Sequence, residues 1–180
     1  MDLDRQGTRM KIIFVRHGEP DYRELEECSY TGFGLDLAPL SEKGRRQAQE
    51  LCQNPLLQSA NLLVTSAVTR ALETASYVTC ATGLSLRVEP LLHEWQVYES
   101  GIENFEKART LFLENNGKLL PHSPIQYETA EEMKSRFLKC MAKYREYQTV
   151  VVVAHRILMR QFVPDEKIDF CQVIECEVEI

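Results

Sequence analysis

The chain is expected to be an α/β protein: a three-layer α/β/α sandwich with a mostly parallel central sheet and an antiparallel edge strand. Two patterns predict this. Short, continuous apolar runs, of the kind buried on both faces of a parallel sheet, alternate along the chain with helical periodicities. The final residues instead alternate strictly: Ile174, Cys176, Val178 and Ile180 on one face, Glu175, Glu177 and Glu179 on the other. That is a half-buried strand with a charged face that discourages further pairing.

The elements follow in order. Met1 to Arg9 is polar and lacks an apolar signal-like core, so residues 1–9 are expected to form a loose tail and 10–180 a single domain. Lys11 to Val15 is the first strand and runs into Arg16-His17-Gly18. Glu19 to Pro39 reads as a long loop. Ser41 can cap a helix to about Leu56, with Ala48, Leu51 and Cys52 on one face. Asn61 to Thr65 is a second strand. Ser66 is expected to cap a helix through Ala81, with Val68, Ala71, Ala75 and Val78 inward and Gly83 as its stop. Leu84 to Val88 is a third strand. A helix is expected near 103–115, followed by an Asn-Asn-Gly turn. Thr129 to Glu132 is a capping box opening a helix to about Tyr147. Thr149 to Ala154, with four consecutive valines, is the strongest strand. It ends at His155, and Pro164 stops the short helix that follows.

The 180 residues include 44% apolar and 27% charged side chains, ordinary for a globular domain, with a formal net charge of −6. This balance speaks against non-specific nucleic-acid binding, which needs a basic surface. No apolar run is long enough to span a membrane. The six cysteines show neither Cys-x-x-Cys nor zinc-ligand spacing. The expectation is a reduced, cytoplasmic protein that uses no metal and no cofactor.

In open α/β sheets chemistry gathers beyond the C-terminal strand ends. Three expected strands end in polar groups: Arg16-His17-Gly18, then Thr65-Ser66 with Arg70 one turn further, then His155. A lone histidine after a buried strand is more often structural than catalytic, and an arginine on a helix is by default a surface residue. Two imidazoles and two guanidiniums at one sheet edge, however, suit a multiply charged anion, of which phosphate is the obvious one.

These segments resemble the histidine phosphatase superfamily, also called phosphoglycerate mutase-like. Arg16-His17-Gly18-Glu19 is similar to the family's Arg-His-Gly motif, and Pro39 to Ala48 to its Pro-Leu-Thr-x-x-Gly-x-x-Gln-Ala helix start. Thr65 to Ala75 resembles the segment with its second arginine, Leu92-His93-Glu94-Trp95 the segment with its acid, and Val152 to His155 that of its second histidine. The resemblance implies a phosphoglycerate mutase-like fold and a metal-independent phosphomonoesterase acting on a small phosphorylated metabolite. A phosphohistidine would form on His17, with Arg16, Arg70 and a protonated His155 around the phosphoryl group and Glu94 as general acid and base. Gly18, Arg23 and Arg156 complete the expected phosphate and substrate contacts.

Four positions depart from the family pattern. Arg156 stands where a Gly usually follows the second histidine, Pro20 replaces a Thr, Arg23 an Asn that contacts phosphate, and Ala67 a Pro. The alternatives are a phosphoglycerate mutase, disfavoured by how soon the chain stops after its last strand, and an inactive phosphoanion-binding protein.

Overall fold

A computed structural model describes residues 8–99, 101–164 and 167–180; the side chain of Ile102 lies outside the description. Residues 1–7, most of the expected tail, therefore lie outside it as well. Arg9, assigned to that tail from the sequence, already pairs in the first strand.

Among the described residues five strands form one sheet: β1 (Arg9–Arg16), β2 (Leu62–Ser66), β3 (Leu86–Glu89), β4 (Thr149–Ala154) and β5 (Val173–Glu179), in the order β3-β2-β4-β1-β5. The first four are mutually parallel where they pair, and β5 runs antiparallel to β1 along the edge. The mostly parallel three-layer expectation holds, antiparallel edge included.

The apolar runs divide their side chains between two cores, as period-two alternation requires. Met10, Ile12, Phe14, Val150 and Val152 face one layer, where Phe112, Met133, Phe137 and Leu158 cover them. Ile13, Val15, Val151 and Val153 face the other, against Leu51, Ala71, Ala75 and Val78. The four valines are buried in pairs on opposite faces.

Among the described residues six α-helices supply the covering layers and connections: α1 (Arg23–Glu27), α2 (Glu42–Leu51), α3 (Thr69–Thr82), α4 (Ile102–Glu114), α5 (Ala130–Met141) and α6 (Arg156–Met159). The expected capping box is formed: Thr129 Oγ1 accepts from the Glu132 N–H while Glu132 accepts from the Thr129 N–H.

Several boundaries differ from the sequence expectation. The 19–39 segment is not all loop, since it holds α1 and a 3₁₀ turn at Gly32–Leu37. Helix α2 stops at Leu51 because Asn54-Pro55 starts a separate 3₁₀ turn, with Asn54 Oδ1 accepting from the Leu56 N–H. Helix α5 gives way after Met141 to a 3₁₀ turn at Ala142–Tyr144. Ser66 does not cap α3: the helix begins at Thr69 after an extended Val68, and Ser66 is the last residue of β2. Strand β3 starts at Leu86 rather than Leu84.

Candidate active site

The register sets the site. Arg16 lies opposite Ala154 and Thr65 opposite Val153, so β1, β2 and β4 end at the same level on the same edge. His17, Ser66 and His155 are therefore delivered to one place by the backbone ladder. All three are buried, His155 completely.

His17 is held in one tautomer. Its Nδ1 is 2.7 Å from the Gly18 carbonyl oxygen, which can only accept, so Nδ1 carries the proton and Nε2 keeps its lone pair. Arg70 Nε donates to that Nε2 at 3.3 Å. Burial, reinforced by the charges of Arg70 and Arg16, pushes the His17 pKa down to about 3, against a smaller opposing effect of the Gly18 hydrogen bond. The ring is a neutral base with an unprotonated nitrogen.

The His155 ring lies 5.1 Å from that of His17 between centroids. Its Nε2 shares a 2.9 Å hydrogen bond with Ser66 Oγ. Burial first, then His17 and Arg70, hold its pKa well below the ordinary histidine value. This corrects the sequence expectation of a protonated His155: a fully buried imidazole beside two guanidiniums stays neutral.

Arg16 donates from Nη1 to the Ile168 carbonyl at 2.6 Å and lies 3.8 Å over the Phe170 ring. Its pKa falls to about 10, mainly through burial and then through Arg156. Arg70, almost fully buried, has Asp36 Oδ1 3.5 Å from its Nη1. Among the described residues, Arg16 Nε, Arg70 Nη1 and His155 Nδ1 are buried and have no hydrogen-bond partner. Buried polar atoms are rarely left so, and these three belong to residues that adjoin His17: Arg16 precedes it, Arg70 bonds its Nε2 and the His155 ring lies 5.1 Å away.

The glycines of the loop after His17 and of the start of α2 have a packing reason. A Cβ on Gly44 would come 2.1 Å from the Glu19 carbonyl oxygen, and one on Gly18 would come 2.7 Å from that of Gly44. Two glycines thus let the His17 loop lie against the start of α2. Gln47 accepts from the Glu19 N–H at 2.9 Å, and Ser41 Oγ accepts from the Gly44 N–H at 3.0 Å. Across the pocket the Gly18 N–H donates to Thr74 Oγ1 at 3.0 Å.

Glu94 reaches the site from a loop. Its carboxylate accepts from the N–H groups of Trp95 (2.9 Å), Leu158 (3.2 Å) and Ile157 (3.3 Å), which fixes it beside the turn that follows His155. Arg136 anchors this loop: it pairs with buried Glu128 and donates to the carbonyls of Leu91 and Glu94. Arg156, next in the chain after His155, is close enough to lower the pKa of Arg16.

The structure thus brings together His17, Gly18, Arg16, Arg70 and His155, with Glu94 and Arg156 at the margin. Arg23 is not brought in: on α1, with its side chain 82% exposed, it is held by Asp21 at 2.6 Å. Sequence reasoning missed Thr74, Phe170, Asp36 and Arg136. Thr74 alone left a signal, as a polar residue on the inward stripe of Ala71, Ala75 and Val78.

Comparison with known proteins decides the family. The model of the histidine phosphatase superfamily (branch 1) matches residues 12–165. The chain belongs to this superfamily. It is 28% identical over 164 residues to phosphoserine phosphatase 1 of Hydrogenobacter thermophilus, covering 84% of this chain and 73% of that one. It is 25% identical over 139 residues to the probable phosphoglycerate mutase GpmB of Photorhabdus laumondii, covering 73% of this chain and 63% of the other. In fold it matches the crystal structure of phosphoglycerate mutase from Bacillus anthracis, with a TM-score of 0.67 over 97% of this chain and 90% of that one at 18% identity. Among the described residues no helix is long and apolar enough to cross a membrane, and no group of three or more His, Cys, Asp or Glu side chains could hold a metal ion.

Proposed function

We propose that this superfamily member is a metal-independent phosphomonoesterase that works through a phosphohistidine on His17. The observation that carries this reading is that Arg16, Arg70 and His155, the neighbours of His17 and its unprotonated Nε2, each keep a buried nitrogen without a hydrogen-bond partner. Guanidinium and imidazole N–H groups suit the equatorial oxygens of a phosphoryl group and would neutralise its charge in the transition state. The phosphatase-named relative supports hydrolysis as the outcome.

In the proposed cycle the Nε2 lone pair attacks phosphorus as the bond from phosphorus to the ester oxygen breaks. Glu94 gives its proton to the departing alkoxide. Its carboxylate then takes a proton from water as that water attacks the phosphohistidine. Inorganic phosphate leaves, and His17 returns to its neutral tautomer.

The test is release of p-nitrophenol from p-nitrophenyl phosphate with EDTA present, together with trapping of the enzyme-bound phosphoryl group. Turnover insensitive to EDTA, with an acid-labile, base-stable label on His17, is the expected result. Loss of activity on chelation, restored by a divalent metal, overturns the metal-independent mechanism. Labelling without hydrolysis, accompanied by phosphoryl exchange between alcohols, identifies a mutase instead. Neither labelling nor turnover leaves an anion-binding protein.

A further inference from the structure

Ser66, the fully buried last residue of β2, meets two groups among the described residues through its hydroxyl. Its Oγ lies 2.9 Å from His155 Nε2 and accepts from the Val68 N–H at 3.3 Å. The second contact constrains the first. A hydroxyl has one proton to donate. The Val68 N–H is itself a donor, so the acceptor left for that proton is the lone pair of His155 Nε2. The imidazole is neutral, because burial holds its pKa well below the ordinary histidine value. Its single ring proton then sits on Nδ1.

The opposite tautomer is worse paired. With the proton on Nε2, that N–H would donate to Ser66 Oγ and the hydroxyl proton would have no acceptor, while Nδ1 would be a bare, buried lone pair. Two buried groups would go unpaired instead of one. In the favoured arrangement the group left over is the Nδ1 N–H, a donor on a ring 5.1 Å from that of His17. An anion at His17 accepts from such a donor, whereas a bare lone pair would repel it.

We propose that Ser66 is a positioning residue: its hydroxyl fixes His155 as the Nδ1–H tautomer and so makes that nitrogen the His155 donor to the phosphoryl group. The tautomer belongs to the free protein; the donor's part in turnover rests on the phosphatase reading above. The same Oγ holds the Val68 N–H at the start of α3, and so links His155 to the helix that carries Arg70.

The test is NMR of the free protein labelled with ¹⁵N-histidine, the His155 signals being assigned by their loss in His155→Gln. In the wild type His155 should show a protonated Nδ1 and an unprotonated Nε2. Ser66→Ala should shift population to the Nε2–H tautomer and lower kcat for p-nitrophenyl phosphate by at least about tenfold, as loss of a fixed transition-state donor requires. Ser66→Thr keeps the hydroxyl and should restore both the tautomer and most of kcat. A proton on Nε2 in the wild type, as the other tautomer or as imidazolium, overturns the assignment, and this spectrum needs neither serine variant. Tautomer and kcat that do not move together across the two variants overturn the positioning role, because such a loss marks packing alone. Absence of turnover by the wild type overturns instead the hydrolase reading and the phosphoryl contact built on it, while the spectrum still decides the tautomer.

Discussion

Two regions around the same pocket are built in opposite ways. The strand-end cluster of His17, Ser66, Arg70 and His155 is buried and fixed by parallel ladders, by two close-packed glycines and by Thr74. The facing segment from Pro20 to Ala38 holds one five-residue helix and a 3₁₀ turn, with Phe33 81% exposed, Arg23 paired on the surface with Asp21, and Asp36 3.5 Å from Arg70. Surface pairs of that kind contribute little to stability. The contrast assigns rigidity to the groups that would meet the phosphoryl centre and adaptability to the wall opposite, as expected where pre-organisation matters for chemistry and looseness for access.

The sharpest way to break the comparison is to remove the proposed nucleophile. His17→Ala should lower kcat for p-nitrophenyl phosphate by at least about a thousandfold, because the proposed covalent route runs through its Nε2. Near-normal kcat would move the chemistry out of the rigid cluster altogether.

Glu94 tests whether a loop residue can join the rigid set when backbone N–H groups hold it. Glu94→Gln should slow phosphorylation by an alkyl phosphate by roughly a hundredfold or more, the lower end of proton-transfer catalysis. Phosphorylation by p-nitrophenyl phosphate should slow far less, since p-nitrophenolate leaves without a proton, and a burst of colour before a slower steady rate should appear. Equal slowing of both esters would reduce Glu94 to a positioning residue.

Burial of the cluster also has a signature in acid. His17 has a pKa of about 3 when folded, against an ordinary value of 6.5. Below pH 6.5 the unfolded chain binds a proton that the folded site refuses, so stability falls as pH drops from about 6.5 toward 3. Between pH 6.5 and 5 this one group should remove about 2 kcal/mol. Urea unfolding of wild type and His17→Gln at several pH values measures it, with a shallower acid slope expected for the variant. Identical slopes would mean that the imidazole reaches water.

The loop wall should give the smallest effect. Asp36 is the counter-charge nearest Arg70 Nη1. Asp36→Asn should strengthen inhibition by inorganic phosphate up to about fivefold, in keeping with a partly exposed pair. An unchanged inhibition constant would show that the carboxylate swings clear when the anion binds.

Much of this architecture was legible in the chain. The run Lys-Ile-Ile-Phe-Val, the four valines and the alternating tail encode strands because their spacing matches the two sides of a pleated sheet. Arg16, His17 and His155 were readable as a set because they follow such strands, and parallel pairing brings strand ends together. Helix ends were less legible: at Asn54-Pro55 a turn overrides a continuing polar-apolar pattern.

What only the tertiary structure decided is protonation, partnership and placement. His155 was expected to be charged, but complete burial beside Arg70 makes it neutral, and burial is a property of the assembled layers. Ser66 looked like a helix cap and is instead the hydrogen-bond partner of a histidine 89 positions away. Arg23 and Arg156 were both candidates in the sequence; the fold turns one outward onto Asp21 and sets the other in the lining of a cleft that includes Trp95. Local pattern fixes which residues enter strands and helices, because those preferences act over a few residues. Dielectric surroundings and contacts between distant segments exist only once the chain has packed.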